Sequence, residues 1–206
     1  MRLFLASDRT SERFDELIAA AGRGSRVAVI GNAVDFIPQP DREAYARTVS
    51  DPVAEFRDRG LDAFDLDLRL WFGRSGALAR EIQDVRLVWA TGGNAFLLRR
   101  AMRQSGLDEV VAARLAESMI YGGWSAGACV AGPSLRGLEL MDDPHTLAVG
   151  YEAEPVWEGL GLVDFAIVPH FQSSHAEAEA ADRCVAWLTQ QDLPFRTLRD
   201  GEAIVV

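Results

Sequence analysis

The chain has 206 residues, 49% of them apolar, which is enough for one domain with a buried core. Its formal charge of -10 argues against a nucleic-acid-binding face, which needs a basic patch. All 21 basic residues are arginine, so chemistries built on lysine (a Walker A loop, a pyridoxal Schiff base, a Ser–Lys dyad) are excluded.

Residues 2–6 are a short buried strand, too short an apolar run for a signal peptide. Ser11 to Ala21 has helical spacing through Phe14, Leu17, Ile18 and Ala21, with Ser11 or Thr10 as cap and Gly22 and Gly24 as terminators. Residues 26–30 are an almost wholly apolar strand of the kind buried on both faces, followed by a loop at Gly31–Asp35. Asp41 to Arg59 reads as helix with a break or restart at Pro52, and Leu61 to Leu70 as a half-exposed strand. A helix at Ser75–Gln83 precedes a buried strand at Arg86–Ala90, the loop Thr91-Gly92-Gly93-Asn94, and helices at Ala95–Gln104 and Asp108–Glu117.

A strand at 119–124 then runs into Gly123-Trp124-Ser125-Ala126-Gly127, and a helix-like run follows. Leu138–Met141 reads as a strand, Val163–Val168 as a strand ending in Pro169-His170, and Ala176–Gln190 as an amphipathic helix. Phe195–Leu198 and Ala203–Val206 flank Asp200-Gly201 as a hairpin. Alternating strands and helices predict one α/β domain over 1–206, a mostly parallel sheet in a three-layer sandwich. Functional loops of such a sheet lie beyond the C-terminal ends of its strands. Gly31–Asp35, Gly92–Asn94, Ser125 and His170 are the loops that qualify. No stretch approaches the roughly 18 apolar residues of a membrane span. The expectation is a soluble cytoplasmic protein. Cys129 and Cys184 lie far apart without a C-x-x-C, which predicts neither a disulfide framework nor a structural zinc site.

The G-x-S-x-G pattern places a serine on a tight strand-to-helix turn, where flanking glycines avoid collisions and the new helix supplies unpaired N–H donors. Ser125 is the candidate nucleophile. Among the three histidines, His170 is the candidate base because it ends a buried strand. His175 and His145 are weaker candidates. Several carboxylates compete for the third position: Glu139, Asp142, Asp143, Asp164 and Asp200, the last reading better as a plain turn residue. The N–H groups of Gly93 and Ala126 suit an oxyanion hole, with Gly92 and Asn94 toward the substrate; Asn94 also suits a helix N-cap.

Ala90-Thr-Gly-Gly-Asn-Ala-Phe-Leu-Leu98, Tyr121-Gly-Gly-Trp-Ser-Ala-Gly-Ala128 and Val168-Pro-His170, in that order, resemble the peptidase E (S51-like) family of serine peptidases. The resemblance covers the chain from about residue 86 onward. It implies a flavodoxin-like fold related to class I glutamine amidotransferases. It also implies Ser125 as nucleophile, His170 as base, Gly93 and Ala126 as oxyanion donors, and no metal or other cofactor. The family's acid falls on Leu140 in a gapless match, so a small register shift makes Asp142 the candidate, with Glu139 as alternative. The arginine with which the dipeptidase branch holds an aspartate side chain corresponds to Ala180, near Glu177 and Glu179. Strict Asp-X specificity is therefore not expected. The implied partner is a small peptide or amide, without nucleic acid or membrane, and a homodimer is a candidate assembly. Two competing readings are an amidotransferase-like relative using Cys129 with His175-Ala-Glu177, and a non-catalytic small-molecule-binding relative.

Overall fold

The computed structural model describes residues 1–9, 11–38, 40–42, 44 and 51–206. Within them β1 (Leu3–Ala6), β2 (Arg26–Ile30), β3 (Asp62–Asp65), β4 (Val85–Ala90), β5 (Ile120–Trp124) and β8 (Ala203–Val205) form one sheet in the order β3-β2-β4-β5-β1-β8. Every pairing is parallel except β1 with β8. Side chains alternate between faces along each strand. Phe4, Ala6, Val27, Val29, Leu87 and Trp89 pack with Leu17 of α1 (Phe14–Ala21) and Phe56 of α2 (Pro52–Asp58). Leu3, Leu5, Ala28, Ile30, Val88 and Ala90 face the other way. They pack with α3 (Ser75–Glu81), α4 (Ala95–Ser105), α5 (Leu107–Leu115), α6 (Ala126–Cys129) and α7 (Ala178–Gln190). Burial on both faces is why the inner strands are continuous apolar runs. The architecture is a three-layer α/β sandwich.

Local signals set most boundaries. Ser11 sits in a turn, accepting from Arg13 N–H at 3.3 Å, and α1 starts at Phe14, three residues later than the spacing alone predicts. Thr10 lies outside the described residues. Pro52 opens α2 at a position needing no N–H, and the Asp51 carboxylate caps it through Ala54 N–H at 3.0 Å. The earlier part of the helix expected from Asp41 includes 43 and 45–50, outside the described residues.

Four expectations are corrected. The strand expected over Leu61–Leu70 stops at Asp65, because Asp67 caps a 3-10 turn at Leu68–Trp71 through Arg69 N–H. Leu138–Leu140 is a 3-10 turn, not a strand. The strand ending at His170 spans only Ala166–Val168 (β6) and lies outside the main sheet. It pairs in parallel with β7 (Phe195–Thr197). The segments flanking Asp200-Gly201 are therefore not a hairpin: β7 joins β6, while β8 joins β1. Among the described residues no helix is long and apolar enough to cross a membrane.

Candidate active site

Ser125 stands between β5 and α6 with φ 48° and ψ −116°, a conformation that side chains rarely adopt. Such strain costs on the order of 1–3 kcal/mol and persists only where surroundings over-determine it. Here the Ser125 N–H donates to the Ala6 and Ser7 carbonyls, each at 3.1 Å. The buried Tyr121 hydroxyl donates to Gly127 O at 2.7 Å, holding the far side of the turn. A Cβ on Gly127 would lie 2.1 Å from Ala90 O, so the turn packs directly on the end of β4. Ala126, the first residue of α6, has an N–H without an intrahelical acceptor.

On the β4 side, Gly93 has φ +131°, and a Cβ there would meet Ala33 O at 2.7 Å. Only glycine fits, and the loop is pressed against the turn after β2. Gly92 and Asn94 also have structural partners. A Cβ on Gly92 would meet the Trp124 ring at 2.3 Å, so its smallness serves that packing. Asn94 Oδ1 accepts from Leu97 N–H at 2.9 Å and its amide donates to Asp143 O at 2.9 Å. Both ends of Asn94 are occupied in capping α4 and tethering the 143 loop.

On the β1 side lies His170, 1% exposed, with φ +60°. Its Nδ1 is 2.7 Å from Asp200 Oδ1. A carboxylate accepts only, so the proton sits on Nδ1 and the Nε2 lone pair is free. Asp200, not Asp142 or Glu139, is the carboxylate beside His170. Asp142 Oδ2 instead accepts from Ala95 N–H at 2.8 Å, capping α4 beside Asn94. Burial, with a smaller contribution from Glu177, pushes its carboxyl up to about 7. Glu139 Oε2 accepts from Gly137 N–H at 2.5 Å. The Asp-Gly dipeptide is a turn and also presents the carboxylate. The sequence pattern is the same for both, and only the chain's return to β1 distinguishes them.

The His175 ring stacks on His170, with centroids 3.8 Å apart and planes 11° from parallel. Glu177 Oε2 is 3.9 Å from His170 Nε2 and partly exposed. His170, His175 and Glu177 are the described residues whose donor atoms could gather round a metal ion. Parallel stacking, however, keeps the two rings' lone pairs in separate planes instead of directing them to one point. Cys129, assigned to the competing amidotransferase-like reading, is buried, and its Sγ contacts Ile167 O at 3.5 Å. Burial, then the nearby Asp142, raises this thiol well above its ordinary range, which disfavours the reactive thiolate. His145 is exposed, in a turn.

The chain resembles an uncharacterized peptidase, Lin0382 of Listeria innocua, at 28% identity over 131 residues, 63% of this chain and 59% of that protein. It is 30% identical to peptidase E of Streptomyces coelicolor over 210 residues, covering 98% of this chain and 79% of the relative. A crystal structure of a candidate peptidase E from Listeria monocytogenes EGD-e superposes with a TM-score of 0.76 at 23% identity, covering 99% and 93% of the two chains; it supports the fold. The family model described as peptidase family S51 matches residues 11–206, and the chain belongs to that family.

Proposed function

We propose that the protein is a serine-type peptidase that cleaves a small peptide or amide through an acyl-enzyme on Ser125. The observation that carries this reading is the Asp200–His170 pair, with Nδ1 held at 2.7 Å and Nε2 left as base, on the same sheet edge as the strained Ser125. Ser125 Oγ attacks the carbonyl carbon and its proton passes to His170 Nε2. The N–H groups of Gly93 and Ala126 stabilise the oxyanion. Collapse expels the amine, which takes the proton from His170, and leaves an ester on Ser125. Water then attacks that ester with His170 again as base, releasing the acid. Asp200 orients the imidazole and stabilises its protonated form.

The substrate class follows from charge. Glu177 stands beside His170 Nε2, and Ala180 on α7 offers no cation. An acidic side chain next to the scissile bond meets a carboxylate, so Asp-X dipeptides hold no strong advantage over neutral ones.

The test is labelling by a fluorophosphonate, followed by hydrolysis of a dipeptide panel. Wild type labels on one residue and Ser125→Ala does not. Asp200→Asn, which alters the tautomer while keeping the shape, slows labelling by on the order of 10³–10⁴-fold. Labelling that survives Ser125→Ala, or a folded wild type that never labels, refutes the reading.

A further inference from the structure

The structure points to one residue that ties the candidate triad together, and we infer that Ser7 is a positioning residue for the reaction. The inference deepens the serine-peptidase reading and rests on it. Ser7 is the first residue beyond β1, and its side chain is fully buried. Each of its polar groups meets a different part of the site. The hydroxyl oxygen accepts from His170 N–H at 2.8 Å. The hydroxyl proton faces Asp200 Oδ1 at 3.0 Å and Leu198 O at 3.3 Å. The Ser7 carbonyl accepts from Ser125 N–H at 3.1 Å, and its own N–H donates to Glu202 O at 3.1 Å.

Topology explains the convergence. β1 lies between β5, which delivers Ser125, and β8, which follows Asp200. The residue just past β1 is therefore flanked by the nucleophile on one side and the acid on the other. His170 arrives from the separate β6–β7 pair, and its contacts with Ser7 and Asp200 bind it to this edge.

The chemistry is specific. Asp200 Oδ1 is the oxygen that receives His170 Nδ1–H, so the Ser7 proton shares its negative charge. Removing that proton leaves a more basic carboxylate, which holds imidazolium more firmly. It also leaves the buried His170 N–H without an acceptor, at a backbone φ that ordinary residues avoid. The first change makes His170 release its proton only at higher pH, and the second loosens the base from its working position. A misplacement on the scale of 1 Å costs about 10²-fold in rate.

The experiment compares wild type, Ser7→Ala and Ser7→Thr. Three readouts are used: the second-order rate of fluorophosphonate labelling at Ser125 from pH 5 to 9, the melting temperature, and the low-field proton resonance of the His170–Asp200 hydrogen bond. Ser7→Ala slows labelling by about 10–100-fold, moves the acidic limb of the pH profile to higher pH, and shifts or broadens the resonance. Ser7→Thr, which keeps the hydroxyl, restores all three in part. If Ser7→Ala does not fold, Ser7→Cys, a weak donor of similar size, takes its place with the same expectations. A folded Ser7→Ala with an unchanged rate, limb and resonance overturns the inference while Ser125→Ala still abolishes labelling. A slower rate with an unmoved limb and resonance, and no rescue by Thr, also overturns it, since that is a packing effect alone. Labelling that persists in Ser125→Ala fails the underlying reading instead, and the resonance then decides separately whether Ser7 holds the His170–Asp200 pair.

Discussion

Ser125, His170 and Asp142 each carry a local cost that their neighbours offset. Ser125 and His170 are held at positive φ by hydrogen bonds that their N–H groups donate to Ala6 of β1 and to Ser7 after it. Asp142 is the titrating case. Its carboxyl rises from 3.8 to about 7, so the folded state binds the proton more tightly than the unfolded state. The stability tied to the neutral carboxyl is fully present below pH 3.8 and is lost as pH rises through about 7. Asp142→Asn keeps an oxygen for Ala95 N–H and removes the titration. Urea unfolding at several pH values should show wild type losing stability relative to Asp142→Asn between pH 4 and 7.5, by on the order of 2–4 kcal/mol. Parallel pH curves for the two proteins would contradict that assignment.

At the scale of elements, the start of α4 organises the β4 side. Asn94 caps the helix, Asp142 takes the next N–H, and the Asn94 amide secures the Asp143 carbonyl. Further along α4, the buried Arg100 donates to the carbonyls of Pro144, Thr146, Ala153 and Glu154. The 142–154 segment is thus strapped over the helix that follows Gly93. Asn94→Ala should cost about 1–2 kcal/mol in chemical unfolding. It should also slow labelling, because the Gly93 loop loses its anchor. Unchanged stability would mean that Asp142 suffices as the cap.

For the whole molecule, the site depends on β8 without β8 supplying a catalytic group. Leu3 N–H donates to Val206 O at 3.0 Å and Ser7 N–H to Glu202 O at 3.1 Å, so the end of the chain fastens the Asp200 turn to β1. Deleting residues 203–206 leaves Ser125, His170 and Asp200 all present. Labelling should nevertheless fall at least about tenfold as the Asp200–His170 pair loses its support. A truncated protein that labels at the wild-type rate would show that the β6–β7 pair positions Asp200 by itself.

The division between sequence and structure follows from the range of the interactions. The α/β alternation, the buried strands, the Asn94 cap, the Pro52 start and the strand–Ser125–helix turn are written in contiguous residues. Propensity, period and steric demand act locally there, and they were legible. The carboxylate beside His170 was not legible, because Asp200 reads in sequence as a plain Asp-Gly turn residue and Asp142 as the better candidate. Nor was Ser7, a lone serine 163 positions from the His170 backbone it bonds. The packing of Gly92 against the Trp124 ring was not legible either, since it joins residues 32 positions apart. Those assignments depend on strand order. β1 lies between β5 and β8, and this tertiary pairing brings residues 7, 125, 170 and 200 to one edge of the sheet.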